Sequence, residues 1–120
     1  MNHDPHLVRY TVGIGFETQR FVESALSRRQ IDGATIIDAW GYWRNPETGQ
    51  VETEPSQVLV LTHTSPEDFG FQFATVMAWA QDHGEHTVMV EHHNLVQFVP
   101  TDGDWMEAAA LLDGIHEDLP

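Results

Sequence analysis

Between Ser65 and Gly84 the sequence writes out one complete helix, with its start and stop signals, and that segment constrains what the rest of the chain can become. Ser65 suits the N-cap, where a hydroxyl accepts an otherwise orphaned backbone N–H. Pro66 suits the first helical position, and Asp68 stands three residues beyond the cap. Gly84 suits the cap that closes the helix. Phe69, Phe73, Val76, Met77 and Ala80 recur at helical spacing and form one apolar stripe, while Phe71, Ala78 and, at the margin, Trp79 point elsewhere. Strand-like runs flank the segment, Gln57–Thr64 before it and His86–His93 after it. A helix between two strands buries its stripe on the sheet those strands build.

The remaining elements complete the pattern. Tyr10, Val12, Ile14 and Phe16 alternate as on one face of a strand, with Gly13 and Gly15 on the other. Thr18–Arg29 carries Phe21, Val22, Ala25 and Leu26 at helical spacing and ends on two arginines, which suit a helix C-terminus. Ala34–Trp43 is a second strand, and Asn45-Pro-Glu-Thr-Gly49 is a turn of the kind that joins hairpin strands. The strand from His86 is interrupted at His92-His93-Asn94 and resumes through Val99. Asp104, with Glu107 three residues on, opens a last short helix that ends near Gly114. The fold expected is α+β, a ferredoxin-like two-layer β-α-β-β-α-β sandwich with an added C-terminal helix. A chain of 120 residues accommodates one domain of this kind. Residues 1–8 are read as a frayed terminus and 101–120 as a C-terminal loop and helix.

Composition excludes several functions. There is no cysteine, so disulfides, thiolate metal sites and cysteine nucleophiles are ruled out. No apolar run is long enough to span a membrane and the first ten residues lack a signal-peptide core, so a cytoplasmic protein is expected. Formal charge is −14, and residues 61–120 carry eleven acids and no lysine or arginine. Such a field repels phosphate backbones and anionic membranes, so no direct contact with nucleic acid or membrane is expected. It is compatible with a plain solubilising surface, or with an acidic mimic that blocks the basic groove of a protein partner.

The strands are apolar on both faces. Ile36, Trp40 and Tyr42 share one phase of the second strand, and Ile37, Ala39 and Trp43 share the other. Val58 and Val60 lie opposite in phase to Leu59 and Leu61. A sheet covered by helices on one face alternates more cleanly. Either the C-terminal helix covers the excess or another copy of the chain does. A homo-oligomer, dimer or trimer, is expected, because large apolar patches seldom stay exposed on soluble monomers.

One stretch carries a resemblance. Gly41-Tyr-Trp43, Gly49 and Glu54-Pro-Ser-Gln-Val-Leu-Val-Leu-Thr-His63 are similar to a G-x-W, loop, E-P-S-x-V-L-V-L-x-H hairpin of an uncharacterised bacterial family of small β-α-β-β-α-β proteins. That resemblance implies the fold and no activity. More loosely, the architecture resembles the trimeric signalling proteins of the PII and CutA type, which implies small ligands or metals held in clefts between subunits.

Three groups of residues have chemical potential. Trp40, Tyr42 and Trp43 beside Arg44 suit stacking on a planar ligand such as a nucleobase, with Arg9, Arg20 or Arg44 taking a phosphate. Glu54, Ser56 and His63 offer polar contacts on the same hairpin, yet Ser56 and His63 stand seven residues apart along an extended strand, too far for a nucleophile and its base. His83, His86, His92 and His93 lie close in sequence. The first two straddle a helix cap, and adjacent strand residues point to opposite faces, so no metal site is assigned. No catalytic set and no cofactor are assigned either. The expectation is a non-enzymatic, homo-oligomeric binding protein for a small nucleotide-like ligand, with the acidic inhibitor of a basic protein as the alternative.

Overall fold

A computed structural model describes residues 6–13 and 17–112. The elements run β1 (His6–Gly13), α1 (Thr18–Ser27), β2 (Ala34–Arg44), β3 (Val51–His63), α2 (Pro66–Asp82), β4 (Thr87–His92), β5 (Leu95–Pro100) and α3 (Trp105–Leu112). All paired strands are antiparallel, in the order β2-β3-β1-β4-β5. The first four strands and two helices form the expected ferredoxin-like arrangement. β5 extends the sheet by one edge strand.

Alternation decides what each sheet face carries. Val8, Tyr10 and Val12 of β1 oppose Leu61, Leu59 and Gln57 of β3, and Val8 and Tyr10 oppose His92 and Val90 of β4. Directly opposed residues share a face, so these side chains line the helix-covered side. There they meet Phe69, Phe73, Val76, Met77 and Ala80 of α2 and Val22 and Ala25 of α1, all buried. The stripe read from the sequence is therefore the one that packs. The capping signals act as expected: the Asp68 N–H donates to Ser65 Oγ at 3.1 Å, and Gly84 takes a left-handed φ of 83° just past the helix. Asp104 Oδ1 accepts from the N–H groups of Met106 and Glu107, each at 3.1 Å, at the start of α3.

Several boundaries differ from expectation. β1 begins at His6, so residues 6–8 belong to the sheet and not to a frayed end. Ile14 and Phe16, expected in this strand, lie outside the described residues, as does Gly114. α1 ends at Ser27, two residues short of the second arginine. β3 starts at Val51, six residues early, because Glu52–Pro55 pair with β2 although their pattern is polar. Beyond the Gly13–Ser56 pair β3 has a described partner on one side only, and an edge tolerates the missing N–H of Pro55. The interrupted last strand is two strands: His93 and Asn94, with φ of 52° and 64°, form the two-residue turn between β4 and β5.

Candidate functional site

The β2–β3 hairpin is a long arm with a stiff tip. Asn45 Oδ1 accepts from the Glu47 N–H at 2.8 Å, the Gly49 N–H donates to the Asn45 carbonyl at 2.7 Å, and Asn45 Nδ2 donates to Glu52 at 3.1 Å. Gly49 supplies the positive φ that closes the turn. Along the arm, Trp40 opposes Pro55 and Tyr42 opposes Thr53 on the helix side of the sheet, while Trp43 opposes Glu52 on the other side. The helices do not cover this part of the arm: Trp40 is 63% exposed, Tyr42 70% and Trp43 41%. At its base a cavity of about 380 Å³ is lined by Asp38, Ala39, Trp40, Pro55, Ser56 and Gln57. Gln57 Nε2 donates to Asp38 Oδ1 at 3.0 Å beside it.

The structure gathers some of the sequence-selected residues and separates others. Trp40 and Ser56 share the hairpin cavity, Glu54 pairs with Gly41 one step along, and Arg44 ends β2 near the tip. Arg9 lies on the uncovered sheet face, opposite Val60 and Glu91. Arg20 projects from α1 and pairs with Glu17 at 3.4 Å, both well exposed. His63 stands at the far end of β3, nine residues and about 30 Å of extended strand from Glu54. Within one chain the three arginines do not converge on the aromatic arm.

His63 instead enters a cluster of four imidazoles. His63 continues the buried phase of Leu59 and Leu61, His92 continues that of Val88 and Val90, and β1 brings His6 between them. His63 and His92 are 5% and 2% exposed, and their Nε2 atoms lie 2.7 Å apart. His92 Nδ1 lies 2.6 Å from the Leu112 carbonyl at the end of α3, and His63 Nδ1 lies 3.2 Å from the Ser65 carbonyl. Phe69 stacks on His92 at 4.3 Å between ring centroids, and the His93 ring approaches it at 3.9 Å with a tilt of 48°. The His6 ring is 4.7 Å from that of His93. A notch of about 230 Å³ opens beside the cluster, lined by His6, Arg9, Glu91, His92, His93 and neighbouring backbone.

Sequence proximity misgrouped these histidines. His83 bonds back to the Trp79 carbonyl at 2.9 Å and His86 is exposed, whereas His93 sits in the turn and folds its ring against His92. The signal for the true grouping was phase: each buried histidine extends an apolar alternation, and the ferredoxin-like order places both strands beside β1. Burial holds the His92 pKa down at about 4, helped by the neighbouring histidines, against the raising effect of its bond to Leu112. Among the described residues no three His, Asp or Glu side chains are arranged to hold a metal ion. None of the described helices is long and apolar enough to cross a membrane.

Residues 15–98 match the model of a family described as a protein of unknown function, DUF3574. No curated protein matches the chain. Solved structures share the fold. A phage SAM lyase in complex with S-methyl-5'-thioadenosine is 22% identical, with a TM-score of 0.60 over 81% of this chain and 88% of that one. The periplasmic divalent cation tolerance protein CutA of Archaeoglobus fulgidus is 15% identical, with a TM-score of 0.56 over 92% and 96%. CutA of Synechococcus elongatus is 18% identical, with a TM-score of 0.51 over 90% and 91%. The likeness to CutA expected from element order is a likeness of fold. The expectation of a protein without enzymatic activity is corrected by the lyase: a chain of this architecture is an enzyme, so the lack of a legible catalytic motif is no argument against catalysis.

Proposed function

The chain belongs to the DUF3574 family of proteins of unknown function, and from that premise we propose that it self-associates and takes up a small nucleoside-like ligand against the β2–β3 hairpin. The observation that carries this reading is the exposed aromatic arm. Trp40 and Tyr42 project beyond the helices beside a cavity lined on the same face by Asp38, Pro55 and Gln57. Large flat side chains exposed on a stiff hairpin provide stacking area at little entropic cost. The uncovered sheet face supports the second half of the proposal. Leu7, Ile37, Val96 and Phe98 are exposed on it, beside half-buried Val58, Val60 and Met89. A neighbouring copy seated there removes this apolar surface from water. It also offers a route by which Arg9 or Arg20 of one copy meets the aromatic arm of another, with Arg44 adding a polar contact, while Glu54 and Ser56 project from the opposite face beside Trp43.

The thioether nucleoside bound by the phage SAM lyase supports the choice of ligand class. Isothermal titration with S-methyl-5'-thioadenosine and with adenosine monophosphate tests it, while chromatography of the incubated mixtures reads any turnover. Binding of either compound, weakened at least tenfold by Trp40→Ala and by Arg44→Ala in chains that still fold, is the expected result. Affinity unaltered by both substitutions, or no binding of either probe at millimolar concentration, overturns the proposal.

A further inference from the structure

Alternation puts Asp38, Trp40, Tyr42 and Arg44 of β2 in one phase, on the helix side of the sheet, opposite Gln57, Pro55, Thr53 and Val51 of β3. A carboxylate at the root of the arm and a guanidinium at its tip therefore flank two exposed rings. Among the described residues that line the cavity beside Trp40, Asp38 alone is charged. We propose that Asp38 and Arg44 fix the two ends of the ligand, so that the hairpin selects a nucleoside monophosphate whose base carries an amino group. This rests on the reading of the arm as a nucleoside site and specifies which nucleosides it takes.

The root of the arm is set to accept hydrogen bonds. A carboxylate has no proton to give, so the 3.0 Å bond between Gln57 Nε2 and Asp38 Oδ1 fixes which way round the amide stands. Gln57 Oε1 then points away from Asp38, and Asp38 Oδ2 has no hydrogen-bond partner among the described residues. A ring stacked on Trp40 meets these acceptors at its edge. The amino group of adenine or cytosine donates to them, whereas a ring edge without an N–H leaves them unpaired. The length of the arm agrees. Asp38 and Arg44 stand six residues apart, roughly 20 Å along an extended strand. An arginine side chain reaches about 6–7 Å and an aspartate about 2–3 Å, so leaning together they leave roughly 10–12 Å. That is close to the span of a nucleoside monophosphate from its amino group to its phosphorus. The base then lies on Trp40, the sugar beside Tyr42 and the phosphate in the fork of Arg44. The reverse orientation sets phosphate against Asp38, where like charges repel.

Isothermal titration of the intact protein with adenosine monophosphate, purine riboside monophosphate and adenosine tests both ends. The second probe lacks only the amino group of the first, and the third lacks only its phosphate. Adenosine monophosphate is expected to bind about tenfold more tightly than purine riboside monophosphate, the worth of one charge-assisted hydrogen bond in a half-open site. Asp38→Asn is expected to bring that ratio to about twofold or less. Adenosine monophosphate is also expected to bind about fivefold more tightly than adenosine. Arg44→Ala removes that advantage and keeps the preference for the amino group. Asp38 and Arg44 are both exposed, so both variants are expected to fold with unchanged circular dichroism. Equal binding of the two monophosphates, a preference that Asp38→Asn retains, or a phosphate advantage that survives Arg44→Ala overturns the proposal and leaves the nucleoside reading standing. Binding of none of the three probes overturns both.

Discussion

The rings of Phe21 and Trp79 stack 4.3 Å apart with an interplanar angle of 17°, joining α1 to α2 on the helical layer. Trp79 is the residue that the helical wheel leaves at the margin of the sheet-facing stripe, and this contact accounts for its burial. Below the stack a groove of about 490 Å³ runs between the two helices, floored by Ala25, Ala74 and Ala78. Phe21→Ala removes a half-buried ring from the stack. It is expected to cost about 2 kcal/mol, below the range for fully buried phenylalanine, as read from the urea midpoint.

Tyr10 is completely buried against Phe73, and its hydroxyl has no hydrogen-bond partner among the described residues. Burial drives its pKa far up, so the group stays neutral. An unpartnered hydroxyl in an apolar site opposes folding. Tyr10→Phe is therefore expected to leave stability unchanged or raise it by up to about 1 kcal/mol in chemical denaturation. A clear loss of stability would show that the hydroxyl has a partner.

Stability is expected to fall on mild acidification. The pKa of His92 is lowered from 6.5 to about 4 in the folded chain, so between those values the unfolded chain binds more protons. The contribution is fully present above pH 6.5 and is lost progressively down to about 4. Its slope approaches about 1.4 kcal/mol per pH unit within that window. Urea titrations of wild type and His92→Asn from pH 7.5 to 4.5 measure it, and the difference between them is the contribution of His92.

Ile37 lies on the uncovered sheet face and is 48% exposed. Ile37→Arg adds a charge that one copy alone keeps in water and that a copy packed against this face must desolvate. The variant is expected to fold with unchanged circular dichroism and to sediment as a smaller species than the wild type. Identical sedimentation of the two proteins removes this face from the assembly.

Much of the fold was legible because its signals are local. Ser65, Pro66 and Gly84 bound a helix by backbone chemistry, and Leu59 and Leu61 set a sheet phase whatever lies beyond. Glu52–Pro55 misled because their strand conformation comes from pairing with Trp40–Trp43, a tertiary cause that leaves no alternation in the sequence. The aromatic arm was legible as chemistry, but its exposure depends on how far the helices reach. The histidine cluster was only half legible: phase marks His63 and His92 as buried, yet 29 residues separate them. Nothing local specifies that β1 will bring the two strands within hydrogen-bonding range.

The turn at His93-Asn94 has a further consequence. Both residues hold a left-handed backbone, where a β-carbon costs about 1–2 kcal/mol and glycine is at home. Replacement by Asn-Gly would relieve the hairpin and remove an imidazole from the mouth of the notch. Stability selection alone would favour that exchange. Directed evolution for heat resistance alone should erase His93 early.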